Sequence, residues 1–324
     1  MVFPIKSLCR RFLSTLLFLL VFSCCACGAK SCRGKPGPAA AAEAFVPADV
    51  KTLAGIDVKG LSSAAAGKKI IDSLIKKEDC LYPLASGRAE RLVAGWRQKG
   101  SPPFLLLACT ACGIDSLAAC AKKDFGLLFE QGPAIDGIDF MRTADGIWLG
   151  EPERSIFIAG LEQDVKAAMA ARAGEKPSLQ GSGQAAFLRT FIPAKALAEV
   201  MVIEGGDLAR DAAGAGHSFA AELIDAKQAG AGLVLDKGRL VIEGTVILPK
   251  GSDKAAGRRV QTMKKELAKT AANPLLQKLG FSYLVERIHL EAGGEGHINV
   301  SFAMTEKELF DLIEAGRDVL AIEL

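Results

Sequence analysis

The stretch Gly230 to Leu248, GAGLVLDKGRLVIEGTVIL, decides the fold class. Two aliphatic and β-branched runs, Gly232 to Leu235 and Arg239 to Leu248, flank Asp236-Lys237-Gly238. A turn of that chemistry between apolar runs predicts a β-hairpin. A second hairpin is predicted from Leu284 to Glu291 and His297 to Ala303, turning at Gly293-Gly294-Glu295-Gly296. Between the two, Lys254 to Lys269 puts Val260, Met263 and Leu267 on one face of a helix, and Asn273-Pro274 breaks the chain after it. Thr305 and Glu308 have the spacing of a capping box for a last helix with Leu309, Leu312 and Ile313 inward. Strands joined by tight turns pair antiparallel, so the expected class is α+β: two related units, each a mostly antiparallel sheet with helices packed on one face.

The relation between the units is read from an internal repeat. Phe45-Val46-Pro47-Ala48 is echoed by Phe191-Ile192-Pro193-Ala194, each before a strand-like segment, Leu53 to Val58 and Val200 to Ile203. The copies also end alike: Ile156-Phe157-Ile158 leads to a helix stopped by Gly174, and Ile298-Asn299-Val300 to one ending at Gly316. The offset is 146 at the start and 142 at the end. In the first copy Ser62 or Ser63 is expected to cap a helix with Ile70, Ile71, Leu74 and Ile75 on one face, and a second helix is expected over Glu90 to Trp96. A strand at Phe104 to Ala108 and a short helix near Asp115 to Ala121 follow. Strands are then expected around Leu127 to Phe129, Ile138 to Met141, Ile147 to Leu149 and Ile156 to Ile158, before a helix from Leu161 to Ala173. The loops Glu175 to Gln184 and Gly205 to Gly216 read as mobile, the second also as a surface contact site beside His217.

Ahead of this body, Lys6, Arg10 and Arg11 precede an apolar run from Phe12 to Phe22, which ends in Ser23-Cys24-Cys25-Ala26-Cys27. The run is too short for a membrane-spanning helix, which needs ~20 apolar residues, and has the layout of an export signal. Val21-Phe22-Ser23-Cys24 resembles the lipobox of bacterial lipoprotein precursors, and that resemblance implies cleavage before Cys24 and lipid on its thiol. Cys25 and Cys27 compete with poorer residues three positions upstream, and Phe22 is bulkier than the residue usual there. From Gly28 to Ala44 the chain is rich in Gly, Pro, Ala and charge without apolar periodicity, as a tether is. The expected organisation is therefore 1–23 signal peptide, 24–44 lipidated tether, 45–184 first unit and 185–324 second unit.

Composition excludes one class of partner. Losing Lys6, Arg10 and Arg11 with the signal lowers the basic count from 40 to 37, equal to the 37 acids, so the mature chain is formally neutral. A nucleic-acid binder needs a basic excess, because phosphate neutralisation supplies most of such affinity. Half of the residues are hydrophobic and a quarter charged, enough for a real core in each of two domains.

Export also puts the cysteines where disulfides persist. Of nine, the body holds Cys80, Cys109, Cys112 and Cys120, which allow three complete pairings. Cys109-Thr110-Ala111-Cys112 follows a strand and precedes a helix, where a redox pair would sit, with Pro152 downstream for a partner loop; no tryptophan precedes Cys109 and Cys120 adds a third thiol. A zinc site would need two close pairs and the spacing offers one. Ser73 and Lys76 have the spacing of penicillin-binding enzymes but lack a partner motif, so they read as solvent-facing helix positions. His289 and Glu291 share a strand face near His297, without further ligands, and read as an exposed sheet face. No catalytic residue, cofactor-binding residue or metal ligand is assigned.

Phe45 to Leu61, FVPADVKTLAGIDVKGL, the hairpin with its following helix, and Cys80-Leu81-Tyr82-Pro83-Leu84 resemble a loose group of uncharacterised exported bacterial proteins. That resemblance implies a Cys80 to Cys120 pair, with Cys109 and Cys112 as additions. The expected function is that of an envelope lipoprotein at the periplasmic face of the outer membrane, with a non-catalytic binding, scaffolding or structural role. Its partners are then the membrane, through the lipid, and an envelope protein or small ligand. The alternatives are an exported thiol-disulfide oxidoreductase, with Cys109 as nucleophile and Cys112 resolving, and a periplasmic carrier of a small ligand.

Overall fold

A computed structural model describes residues 38–312 apart from 99, 206–208, 211–217, 252, 275–276 and 278–279. The signal and nearly all of the tether, with Cys24, Cys25 and Cys27, lie outside the described residues, as do most of the Gly205 to Gly216 loop, His217, Ile313 and Gly316. The chain forms two compact units, the first ending at Phe187 and the second beginning at Leu188.

In the first unit the strands are β1 (Thr52–Asp57), β2 (Ala89–Trp96), β3 (Phe104–Cys109), β4 (Glu130–Gln131), β5 (Phe140–Arg142), β6 (Ile147–Glu153) and β7 (Ile156–Leu161), in the order β1-β2-β3-β7-β6-β5-β4. In the second they are β8 (Ala198–Val202), β9 (Gln228–Asp236), β10 (Arg239–Ile247), β11 (His289–Ala292) and β12 (His297–Thr305), in the order β8-β9-β10-β12-β11. Neighbours within each unit are antiparallel. Both units thus lay down three strands in sequence and then cross a helix, so that the last strand sits beside the third and the penultimate strand outside it. β1 begins at Thr52 and β8 at Ala198, the same offset of 146 that separates Phe45 from Phe191. Matching order and matching offset are what a duplicated α+β unit leaves behind.

The first sheet's register rests on aromatic rings seated over glycines. Phe104 is fully buried and stands opposite Gly95. A Cβ on Gly95 would overlap the Phe104 ring, and one on Gly160 would lie 2.9 Å from Phe104 Cβ and 3.2 Å from its Cα. Phe140, also fully buried, repeats the arrangement opposite Gly150. Each ring covers a strand position without a side chain of its own, so Phe and Gly fit only in this pairing. Leu53, Val93, Leu106 and Ile158 fill out the same face.

Helices α1 (Pro38–Glu43), α2 (Val58–Ser63), α3 (Ala65–Leu74), α4 (Ile114–Phe125) and α5 (Glu162–Ala173) accompany this sheet, and α6 (Gly183–Arg189) carries the chain from the first unit into the second. α5 buries Val165, Ala168 and Met169 and stops at Gly174, whose left-handed φ of 78° permits the helix-ending turn. At its start, buried Asp164 accepts a hydrogen bond from Arg97 at 3.0 Å, while Arg97 Nε donates to Asp49 at 3.0 Å. One guanidinium thereby ties the segment before β1, the end of β2 and the start of α5. The hydrogen bonds from Arg97 hold the Asp49 carboxyl below its ordinary range, against a partial desolvation that acts the other way.

In the second unit Lys237 and Gly238 both have positive φ, 49° and 76°, as a two-residue hairpin turn between β9 and β10 requires. The second Phe-x-Pro-Ala segment packs on β9, where a Cβ on Gly232 would come within 3.1 Å of Pro193, Ala196 and Ile192. α7 (Asp253–Ala271) buries Ala256, Val260 and Met263 among Val246, Leu248, Leu290, Ile298 and Val300. α8 (Ser282–Glu286) leads into β11, and the last described helix, α9, covers 306–312. Its capping box is formed: Thr305 N–H donates to Glu308 Oε2 at 2.7 Å and Glu308 N–H to Thr305 Oγ1 at 3.3 Å.

Several expectations are corrected. Glu90 to Trp96 is not a helix but lies within β2, because its backbone is taken up by β1 on one side and β3 on the other. Neither Ser62 nor Ser63 caps the helix that carries Ile70 and Ile71: both lie within α2, which Asp57 caps by accepting from Gly60 N–H at 2.8 Å, and α3 starts after Ala64 without a side-chain cap. Leu127 to Phe129 is coil, with Leu128 53% exposed, and the strand is the short β4 beyond it. Leu284 to Glu286 ends α8 and only His289–Ala292 is strand, since Leu284 and Val285 are both buried, as neighbouring strand residues on alternate faces of an edge would not be. Glu175 to Gln184 is partly ordered by the turn Leu179–Gly181 and the start of α6.

Two outcomes test this account. Gly95→Ala is expected to lower stability in urea denaturation by about 1–3 kcal/mol through overpacking, and Phe104→Leu to remove much of that added cost in the double variant; strictly additive losses would contradict the ring-over-glycine seat. Because the folded-state pKa of Asp49 is depressed, its contribution is present above the unfolded value and disappears as pH falls through the folded one. The stability gap between parent and Asp49→Asn should hold to about pH 5 and close below about pH 4. A gap that widens in acid would refute the clamp.

Candidate functional site

The chemistry-bearing side chains of the first unit gather around α4. This helix starts at Ile114 after an uncapped Gly113, ends at Gly126 in the left-handed region, and buries Ala118 and Cys120. Cys120 is bonded to Cys80, with Cα atoms 5.4 Å apart, and Cys109 to Cys112, with Cα atoms 5.6 Å apart. The four body cysteines are therefore paired, in one of the three complete pairings that the sequence allows.

Around the first bridge, polar contacts latch the loop before Pro83 to α4. Asp124 Oδ2 accepts the Cys80 N–H at 2.9 Å and lies 2.9 Å from Cys80 Sγ, and Lys123 Nζ donates to the Glu78 carbonyl at 2.8 Å. Tyr82 donates to Asp72 of α3 at 2.6 Å, and this hydrogen bond raises the phenol's pKa. Asp124 is absent from the residues the sequence points to, although its place one helical turn after Cys120 is a legible signal. Among the described residues, Cys80, Cys120 and Asp124 are the one group of three whose ligand atoms lie within 4.8 Å of one another. With both sulfurs in a disulfide, neither is a thiolate, and thiolates are what a cysteine metal site requires.

The second bridge does not have the geometry of a redox pair. Cys109, the expected nucleophile, ends β3 fully buried, its N–H donating to the Ser155 carbonyl at 2.8 Å. An attacking thiol must be reached by its substrate, and its thiolate is favoured at a helix N-terminus. Cys109 meets neither condition, since four residues separate it from Ile114, and only Cys112 is partly exposed. Pro152 stands in β6, with β7 between it and β3.

The remaining candidates are dispersed. Ser73 Oγ donates to the Ile70 carbonyl at 2.8 Å, and Lys76 lies exposed beyond the end of α3. His289 pairs with Ser301 and Glu291 with Asn299, on one face as expected; along β12, His297 is four residues from Ser301, about 13 Å at strand spacing, and two from Asn299. Its ring meets Phe191 edge-on at 5.1 Å. No helix is long and apolar enough to cross a membrane among the described residues.

No protein-family model matches the chain, and no curated protein is similar to it in sequence. Among solved structures it is similar to those of TP0453, a Treponema protein. With crystal form III the TM-score is 0.51 at 9% identity, over 84% of this chain and 97% of TP0453. With crystal form I it is 0.46 at 9% identity, over 87% and 98%. The likeness to form III is one of fold: the α+β arrangement with a large antiparallel sheet is shared over nearly all of that protein.

Mass spectrometry of the purified protein digested without reductant is expected to recover Cys80–Cys120 and Cys109–Cys112 peptides, and mild glutathione to leave the Cys109–Cys112 bridge intact, Cys109 being buried. Rapid exchange at Cys109 would restore the oxidoreductase reading. Replacing Cys80 and Cys120 together by Ser opens a loop closed across a sequence separation of 40. The loss expected in urea denaturation is about 4 kcal/mol.

Proposed function

We propose that the protein is an envelope lipoprotein, anchored by lipid on Cys24, whose two α+β units serve a non-catalytic binding or scaffolding role beside a membrane. The observation that carries this reading is the pairing of all four body cysteines in disulfides, the state an oxidising compartment produces. The basic head and apolar run before Cys24 address the chain to such a compartment. The burial of Cys109 and the dispersal of Ser73, Lys76 and the histidines favour a body that binds over one that catalyses. In this reading 1–23 is the signal, 24–44 the tether, and the units from 45 and from 185 form the working body, facing the periplasm at the outer membrane.

Radioactive palmitate fed to cells expressing the full chain tests the anchor. The parent is expected to carry label and fractionate with membranes, and Cys24→Ala to lose both. Undiminished labelling of Cys24→Ala would move the lipid to Cys25 or Cys27, and an unlabelled parent would overturn the lipoprotein reading.

A further inference from the structure

The longest helix of the second unit has two unlike sides. Ala256, Val260 and Met263 of α7 are buried in the core. Lys254, Gly257, Arg258, Gln261, Thr262 and Lys265 line a shallow groove open to solvent. At ~100° per residue, Lys254, Arg258 and Lys265 fall within an arc of roughly 40°, opposite the buried stripe, and span about 16 Å along the axis. Of the other cations of the helix, Arg259 is neutralised by Asp225 and Lys269 by Glu266, while exposed Lys264 lies about 80° outside that arc. Among the described residues Lys254, Arg258 and Lys265 have no carboxylate partner. In a mature chain with as many acids as bases, this is a local concentration of positive charge.

Gly257 sharpens the picture. A mid-helix glycine costs about 1 kcal/mol relative to alanine, and a Cβ here would meet nothing within 4 Å, so no packing contact requires it. Its effect is to leave the groove floor bare between Lys254 and Gln261.

We propose that this face of α7 docks on the phosphate headgroups of an anionic lipid surface. The inference rests on the anchoring reading above, which supplies a bilayer within the tether's reach. The groove has no aromatic or large aliphatic side chain and so lacks the pocketed anchor that holds a protein partner. A headgroup layer needs only spaced cations. Because the apolar stripe of α7 is occupied by its own core, the contact lies at headgroup level and does not enter the hydrocarbon. It is electrostatic, and salt weakens it as the screening length falls from about 8 Å at physiological ionic strength to about 3 Å at 1 M. Three basic residues near an anionic leaflet strengthen association roughly a hundredfold.

The test uses the full chain purified from membranes, mixed with vesicles of phosphatidylcholine alone or with about one-third phosphatidylglycerol, the anionic lipid that attracts basic side chains. Lysine acylation is then read residue by residue. The expected result is several-fold protection of Lys254 and Lys265 on the anionic vesicles only, reversed by high salt, with Lys237 at the hairpin turn unaffected. A variant carrying Lys254→Glu, Arg258→Glu and Lys265→Glu, its fold checked by circular dichroism, should lose the preference for anionic vesicles. Equal labelling of Lys254 and Lys265 on both vesicle types, or equal shielding of Lys237, would overturn the proposal. Flotation with the neutral vesicles reports the anchor separately: its absence sinks the anchoring reading, while protection on anionic vesicles still decides the role of α7.

Discussion

The first unit depends on one steric fit, Phe104 between Gly95, which its ring covers, and Gly160, which stands against its Cβ and Cα. Three adjacent strands, β2, β3 and β7, meet at that residue. Sliding either neighbour by one residue would bring a Cβ against Phe104 and turn the strand's apolar set toward the other face. Hydrogen bonds alone do not choose a register, since each shifted ladder makes nearly as many. The Phe-over-Gly seat chooses it, and Phe140 over Gly150 does the same near the sheet's outer edge. With the strands fixed, Arg97 at the end of β2 is placed to reach Asp49 and Asp164 together.

The second unit keeps the strand order but solves its packing differently. Its third strand carries no aromatic like Phe104 but a glycine, Gly244, set against Gly230 and Ala231, and on β9 Gly230 and Gly232 admit Ile192 and Pro193. The two units therefore share topology while differing in what fills it. They differ also in covalent support: both described disulfides belong to the first unit, around α4, whereas the equivalent crossover of the second is the longer helix α7, held by a continuous apolar stripe.

Much of this was legible in the sequence where the deciding physics is local. The β9–β10 turn declares itself through Lys237-Gly238, the start of α9 through Thr305 and Glu308, and the end of α5 through Gly174. Where a distant partner decides, the sequence misleads. Arg91-Leu92-Val93-Ala94-Gly95-Trp96 has apolar residues that suit a helix, and only Phe104 and β1 make it a strand. At Leu284 and Val285 two adjacent apolar residues suit a strand buried on both faces as well as a short helix. The cysteines show the same division. Cys109 and Cys112 are near in sequence, but nothing local says that Cys109 is sealed under Ser155, nor that Asp124 reaches across to the Cys80 amide. The cationic side of α7 was present in the spacing of Lys254, Arg258 and Lys265, yet it stands out only when the opposite side is known to be core.

The short Cys109–Cys112 bridge has a bearing on how the disulfides of the first unit form. Four free thiols can join in three complete ways, and two of those strand α4 in a wrong arrangement. Encounter between thiols falls as the intervening chain lengthens, so Cys112 meets Cys109 more often than it meets Cys80. Once that local bond closes, Cys80 and Cys120 have only each other among the body thiols, and the long loop can be joined in a single way. A bridge between near neighbours, which adds little to the finished fold, thus acts during oxidation as a protecting group that removes the wrong choices before the right one is made.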